Sequence, residues 1–233
     1  MIFYYDLHIH SVLSPCADVL MTPNNIFNMA NLKGLDILAV TDHNSLKQLN
    51  ICQELSMSYD MLFIPGVEIS LHEGFHVLCY FKTMHDAQYF DQVLENYIEK
   101  QSYDLQLYGE QQIVDINDEV IATYPYHLSS ALSLDLPTLK KELSGIDYLL
   151  FYAHLDRPSY SGINYIKNNP LDGLELTQNA TEQFINQHEL YQHKTIYNSD
   201  AHQIIDIQEK SNKNHLELDE LSIDAFFRYF NHG

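Results

Sequence analysis

The sequence has 233 residues, 45 % of them apolar, with 32 Asp and Glu against 12 Lys and Arg and a net charge of −20. Length and apolar content suit one α/β domain over residues 1–233, and so negative a balance argues against nonspecific binding to a nucleic-acid backbone or an anionic membrane. An anionic substrate would need local positive charge, and bound divalent cations are the obvious source.

The chain opens with an apolar run, Ile2–His8, that reads as a first strand and carries Asp6-Leu7-His8-Ile9-His10-Ser11 at its end. Side chains alternate along a strand, so His8 and His10 share a face and can grip one ion, and Asp6, of the same parity, can accept a spare ring N–H. A loop over 11–21 follows. Thr22 and Pro23 then read as N-cap and first helical residue and Gly34 as the stop, predicting a helix over 23–33. Asp36–Thr41 is a buried strand ending in Asp42-His43-Asn44. A helix over about 45–58 precedes an apolar strand from Met61 to Ile64 that runs on through Pro65-Gly66 to Ser70 and carries Glu68. Glu73-Gly74 turns the chain into a strand over 75–81 with His76, followed by a helix over 86–100.

From residue 101 to about 145 the rhythm changes. A hairpin turning at Asn117-Asp118 and a short helix near 138–143 read as an insertion or cap. The rhythm resumes with a strand over 147–153 ending in His154, a helix near 161–168, a strand over 173–176, a helix over 181–192, and a strand over 195–199 ending in Asp200-Ala201-His202. A strand near 215–218 and a helix capped by Ser222 close the chain. Strands alternating with helices predict parallel strands with right-handed crossovers, and about seven of them suggest a closed barrel. Cys16, Cys52 and Cys79 form no Cys-x-x-Cys pair, and no stretch reads as a leader or a membrane span. These features predict a cytoplasmic protein with reduced thiols. Cys16 lies in the loop just after the histidine pair, where it can come near a site.

His8, His10, His43, Glu68, His76, His154, Asp200 and His202 sit at or near the ends of predicted strands, or on the hairpin beside one, and a barrel gathers such ends at one mouth. Glu68 follows so apolar a segment that its charge needs partners. Imidazole mixed with carboxylate suits Zn, Mn or Fe, and the donors outnumber what one ion can use. Such a cluster clamps phosphoryl oxygens and lowers the pKa of a water that attacks in line, with Glu68 able to bridge two ions. Arg157, one of only two arginines in the chain, follows His154 by three residues and has the fork geometry for phosphate. A salt bridge to Asp156 or another carboxylate is the competing use for it. The other histidines, His72, His85, His127, His188, His193, His215 and His232, fall in predicted turns, helices or tails, with His127 nearest the insertion.

The motifs Asp6–Ser11, Thr41–Asn44, Pro65–Glu68, His76, Ala153-His154 and Ser199–His202 together resemble, in order, those of the PHP (polymerase and histidinol phosphatase) domain family. The resemblance implies a distorted seven-stranded TIM-like (β/α) barrel with three divalent metal ions. It implies His8, His10, Glu68 and Asp200 around one ion, Glu68, His76 and His154 at a second, and Asp18, His43 and His202 at a third. Glu175 matches a family position near the site. The expected activity is a metal-dependent phosphoesterase on a small phosphate ester, with a nucleotide or nucleotide-derived substrate ahead of histidinol phosphate. Without a long aromatic and basic track, a long-strand nuclease fits less well. A metal-dependent amidohydrolase also begins with His-x-His on a barrel strand, but no lysine sits at a strand end to serve as the carboxylated bridge. A non-catalytic metal-binding module is opposed by the fullness of the ligand set.

Overall fold

The computed structural model describes residues 1–231, so His232 lies outside the described residues. Strands β1 (Ile2–Asp6), β2 (Ile37–Leu38) and β3 (Leu62–Phe63) form one sheet with β11 (His215–Glu217), in the order β11-β1-β2-β3. A second sheet contains β4 (Gly66–Ser70), β5 (His76–Phe81), β8 (Tyr148–Tyr152), β9 (Gly173–Thr177) and β10 (Thr195–Asn198), in the order β10-β9-β8-β5-β4. The hairpin β6 (Gln112–Val114) and β7 (Val120–Thr123) stands apart.

The strands expected to close into a barrel lie, among the described residues, in two sheets and a separate hairpin. β4 pairs antiparallel with β5 because the short turn at Glu73-Gly74 cannot supply the long crossover that a parallel pair needs, and β5 pairs antiparallel with β8 as well. The predicted strand from Met61 to Ser70 is broken at Pro65, which has no N–H to donate to a ladder; β3 and β4 accordingly lie in different sheets. At the site end the two sheets are joined by isolated bridges, Ile9 with Ala201 and His43 with Glu68.

Helix α1 (Pro23–Leu32) starts where the Thr22-Pro23 signal places it and stops before Gly34, which takes φ +73°. α2 (Leu49–Ser58) and α3 (Met84–Leu94) follow, each shorter than predicted. Within the insertion lie α4 (Leu105–Tyr108), which the sequence did not announce, and α5 (Leu136–Glu142). Residues 161–168 make single turns, such as Tyr165 N–H to Gly162 O at 2.8 Å, instead of a helix. The predicted helix over 181–192 is α6 (Glu182–Gln187) plus a 3-10 turn, split where Glu189 adopts φ +56°. α7 (Ile223–Asn231) is capped by Ser222, whose Oγ accepts from Ala225 N–H. No helix among the described residues is long and apolar enough to cross a membrane.

β5 and β8 are buried almost throughout, and alternate residues feed two cores. Val77, Cys79, Phe81, Leu150 and Tyr152 pack with the helices through Phe27, Cys52 and Phe90. Leu78, Tyr80, Leu149 and Phe151 pack with Tyr5, Leu7 and Ile196, together with Phe226 and Phe230 of α7. Gly173 opens β9 against this second core: a Cβ there would stand 2.2 Å from Phe151 Cε1. Gly173→Ala is therefore expected to destabilise the protein by about 1–3 kcal/mol, the usual cost of overpacking. Chemical denaturation measures this, and an unchanged midpoint would show that the ring can move aside.

Candidate metal centre

The chain stays extended past β1 as far as the Ile9 bridge, so His8 and His10 project together, their Nε2 atoms 3.2 Å apart. His43 follows β2, Glu68 is the central residue of β4, His76 begins β5, His154 lies just beyond β8, and Asp200 and His202 follow β10. These eight converge. Glu68 Oε1 lies 2.8 Å from His76 Nδ1 and 2.9 Å from His154 Nε2, and its Oε2 lies 2.8 Å from His43 Nδ1. Asp200 Oδ1 is 3.0 Å from His10 Nε2 and 3.2 Å from His8 Nε2. Three groups bring their donor atoms within 4.8 Å of one another: His8, His10 and Asp200; His43, Glu68 and His76; and His10, His43 and His202.

The outer partners set the tautomers. His8 Nδ1 donates to Glu175 Oε1 at 2.9 Å. Ser14 gives its proton to Asp42 Oδ1 at 2.7 Å, so its oxygen accepts from His10 Nδ1 at 3.0 Å and from the His43 N–H. His202 Nδ1 donates to Asp200 O at 2.9 Å. His8 and His10 thus turn Nε2 lone pairs toward each other and toward carboxylates, which an added proton or a cation must relieve. Glu68 Oε2 and His43 Nδ1 face each other at 2.8 Å without an aligned hydrogen bond, and buried His154 Nδ1 has no hydrogen-bond partner, a state costly to leave unrelieved. This donor set fits divalent cations with a taste for nitrogen and oxygen.

Charge follows the same geometry. Burial opposes a charge on His8, but Glu175, Asp200 and Glu68 outweigh it and hold the ring well above its usual pKa. His10 is held well below by burial and by the charges of His202 and His43. Burial also opposes ionisation of Glu68, yet His76, His43 and His8 keep it well below the usual carboxylate range. Asp200 is likewise held down, against its burial, by His8 and by the hydrogen bond from His10. The backbone is constrained here too: His154 has φ +28° and Asp200 φ +52°, left-handed positions that side-chain-bearing residues hold only when their surroundings impose them.

Two expectations are corrected by the geometry. Asp6 does not serve a histidine ring. Its carboxylate, lifted to about 6 by burial, accepts from Ser199 N–H, Ser199 Oγ–H and Gln208 N–H, bracing the loop that presents Asp200. The task of holding His8 falls to Glu175, which also accepts from His154 N–H and Asn198 Nδ2. Asp18 is not brought to the cluster. It is exposed, and its Oδ1 accepts from Leu20 N–H two residues on. Cys16, two residues earlier, is exposed and lines the cavity that His43 and His202 also line.

Arg157 contacts Asp200 Oδ2 directly, while Asp156 is occupied by Thr177 N–H and Oγ1. The guanidinium borders two cavities. One, of about 280 Å³, is lined by Cys16, His43, His76, His154, Tyr160 and His202. The other, of about 570 Å³, contains Asp200 and the amides of Gln178, Asn179, Asn198 and Gln208. Tyr160, for which the sequence carried no signal, stacks on His76 at 4.5 Å. Among the other histidines, His72, His85 and His193 are exposed, and His188 and His215 are half-buried. His127 packs against Tyr103 and Tyr108.

No family model matches the sequence. Two curated relatives align over 77 residues: an uncharacterized protein of Methanocaldococcus jannaschii, 31 % identical over 30 % of this chain and 45 % of that one, and a 5'-3' exoribonuclease of Haemophilus influenzae, 30 % identical over 32 % of this chain and 27 % of that one. The matched stretch is thus less than half the length of either relative. Among solved structures, an endonuclease Q complex with a 27-mer duplex carrying an abasic lesion superposes with TM-score 0.69 at 19 % identity, over 99 % of this chain and 57 % of that one. A two-domain protein of Bacteroides vulgatus containing a predicted PHP-like metal-dependent phosphoesterase gives 0.53 at 17 %, over 99 % and 62 %. A putative metal-dependent phosphoesterase of Bifidobacterium adolescentis gives 0.57 at 16 %, over 90 % and 91 %. An amidohydrolase of Chromobacterium violaceum with bound sulfate gives 0.59 at 15 %, over 97 % and 96 %. These are likenesses of fold, and the resemblance to PHP-like proteins holds at that level. The duplex complex runs partly against the expectation that no long nucleic acid is involved.

Proposed function

We propose that this chain, which has the fold of PHP-like metal-dependent phosphoesterases, hydrolyses a small phosphate ester, with a nucleotide or nucleotide-derived phosphate favoured. The observation that carries the reading is the convergence of six imidazoles and two carboxylates, in which the His8 and His10 tautomers leave Nε2 lone pairs facing each other. On this reading three ions share the site: His8, His10, Glu68 and Asp200 hold one, Glu68, His76 and His154 a second, and His43 and His202 belong to the third. The two sheets are then one distorted barrel opened at two seams, with 101–145 as a cap on the same domain. Three scattered, unpaired cysteines suit the cytoplasm.

Divalent ions bound there supply Lewis acidity toward the phosphoryl oxygens and lower the pKa of a water. The protein's own side chains do the positioning. Glu175 and Ser14 hold the His8 and His10 rings in the ligating tautomer, and Arg157 offers a guanidinium where phosphate charge collects. The amide-rich cavity beyond Arg157 has donors and acceptors for a sugar or a base.

The test is metal analysis of the purified protein, followed by assays with p-nitrophenyl phosphate, its bis-ester, histidinol phosphate and a 3',5'-bisphosphate nucleotide, with and without Mn²⁺. About three ions per chain and Mn-stimulated phosphate release are expected. Full metal occupancy with no ester cleaved would favour amidohydrolysis, for which the likeness to the C. violaceum protein is the supporting observation, or a binding role. A longer nucleic-acid substrate is the second reading, supported by the likeness to endonuclease Q and opposed by the charge of −20. Arg157→Ala is expected to lower turnover about 100-fold with metal content unchanged, the scale of losing one charge-stabilising donor. Loss of metal from that variant would mean that Arg157 only supports Asp200.

A further inference from the structure

β9 and β10 lie side by side as parallel strands, with Thr177 opposite Asn198, and the carboxyl ends of such strands are where α/β folds build their ligand sites. The cavity of about 570 Å³ opens there, with Arg157 and Asp200 of the metal centre in its wall together with Gln178, Ser199 and Gln208. Its volume is that of a small-molecule pocket. Hydrogen bonds within the protein fix what the wall offers. Gln208, 8 % exposed, gives its Nε2 hydrogens to the carbonyl oxygens of Tyr5 and Tyr197, both at 2.9 Å. Its Oε1 is thereby turned to Gln178, whose Nε2 donates to it. An amide oriented in this way has its oxygen left as a fixed acceptor, and Gln178 Oε1 has no hydrogen-bond partner among the described residues. Ser199 is set similarly: its hydroxyl proton goes to Asp6 Oδ2 at 2.6 Å, which leaves the oxygen able to accept.

We infer that this cavity receives the alcohol part of the ester and that Gln178 determines specificity there: its oxygen accepts from a hydroxyl of a sugar whose phosphate lies at Arg157 and the metal centre. The inference rests on the phosphoesterase reading and deepens it, naming a sugar phosphate, the ribose of a nucleotide included, as the substrate class. A ligand in this cavity must be anionic at one end, where the guanidinium stands, and must carry donors at the other, where Gln178 Oε1 and Ser199 Oγ accept. The hydroxyls of a sugar meet that demand without charge. An ammonium would exchange its hydration for neutral oxygens, at a cost, since Asp156 is occupied by Thr177 and the remaining carboxylate of the far wall, Asp206, is exposed. Gln208 is a positioning residue, acting through the orientation it imposes on the Gln178 amide.

The test compares metal-loaded wild type, Gln178→Met and Gln178→Glu on ribose 5-phosphate and methyl phosphate, which share the phosphate but not the hydroxyls. The readout is the ratio of kcat/KM for the two esters or, where neither is cleaved, the ratio of their dissociation constants by calorimetry. A variant that folds or binds metal less well loses both esters alike and leaves the ratio standing. Expected are a preference for ribose 5-phosphate in the wild type, its reduction by about 10-fold in Gln178→Met, the scale of one hydrogen bond, and its retention in Gln178→Glu, which keeps an acceptor oxygen. No preference in the wild type, a ratio unchanged in Gln178→Met, or one lost equally in Gln178→Glu overturns the Gln178 assignment and leaves the phosphoesterase reading in place. Preference for histidinol phosphate over ribose 5-phosphate overturns the sugar in favour of an amine-bearing alcohol. Selective binding of ribose 5-phosphate with no cleavage of either ester upholds the subsite and overturns the phosphoesterase reading, and binding of neither overturns both.

Discussion

Glu68→Ala should lower phosphate-ester turnover by about 10³-fold and strip most of the bound metal. Five histidines surround this one carboxylate, which is 1 % exposed. Its oxygens lie 2.8–2.9 Å from His43, His76 and His154, 3.5 Å from His8 and 3.4 Å from His10. Without it the rings lose the negative charge that offsets an ion or a proton, and two proposed ion positions lose a shared ligand. Ions in such a site contribute several kcal/mol to the stabilisation of transition-state charge, and about 4 kcal/mol corresponds to three powers of ten. Glu68→Gln keeps the volume and removes only the charge, so it separates packing from electrostatics. Turnover of bis-p-nitrophenyl phosphate and metal content measured on the same samples decide the matter; near-normal turnover in either variant would remove Glu68 from the mechanism.

Glu175 commands the second large effect, and through stability as much as activity. It is 2 % exposed and accepts from His8 Nδ1, His154 N–H and Asn198 Nδ2. Glu175→Ala leaves those buried donors unpaired at about 1–3 kcal/mol each. With some relaxation, a loss of about 3–5 kcal/mol and a fall in Tm of roughly 10 °C are expected. Glu175→Gln should be milder for folding yet still damaging to the site. Its amide group cannot accept at every contact, so the His8 tautomer is no longer held and metal affinity should drop about 10–100-fold. Calorimetry and metal titration separate the two effects. Unchanged metal affinity in Glu175→Gln would mean that the His8 tautomer is set some other way.

Features that depend on neighbours in the chain were legible. The Thr22-Pro23 start and Gly34 stop bracket α1, and the 112–123 hairpin turns where Asp118 takes φ +62° while Asp115 Oδ1 accepts from the Asn117 and Glu119 N–H groups. The eight converging residues were legible for a similar reason, since each sits near a strand and strand positions follow from local pattern. Residues 161–168 were misread because their turns answer to packing: a Cβ on Gly162 would meet the Tyr152 ring at 2.4 Å, a constraint from a strand ten residues away.

By itself, then, the sequence placed the six histidines, Glu68 and Asp200 on or near strands and turned His8 and His10 the same way, because a period of two operates within a few residues. Tertiary structure alone decided who holds them. Glu175 reaches His8 across 167 residues of chain, Asp6 turns to Ser199, and Asp18 stays in solvent. The parity of a strand says which face a residue is on, but which distant residue meets it there depends on strand order and loop closure. Those are set by how the whole chain buries its apolar surface.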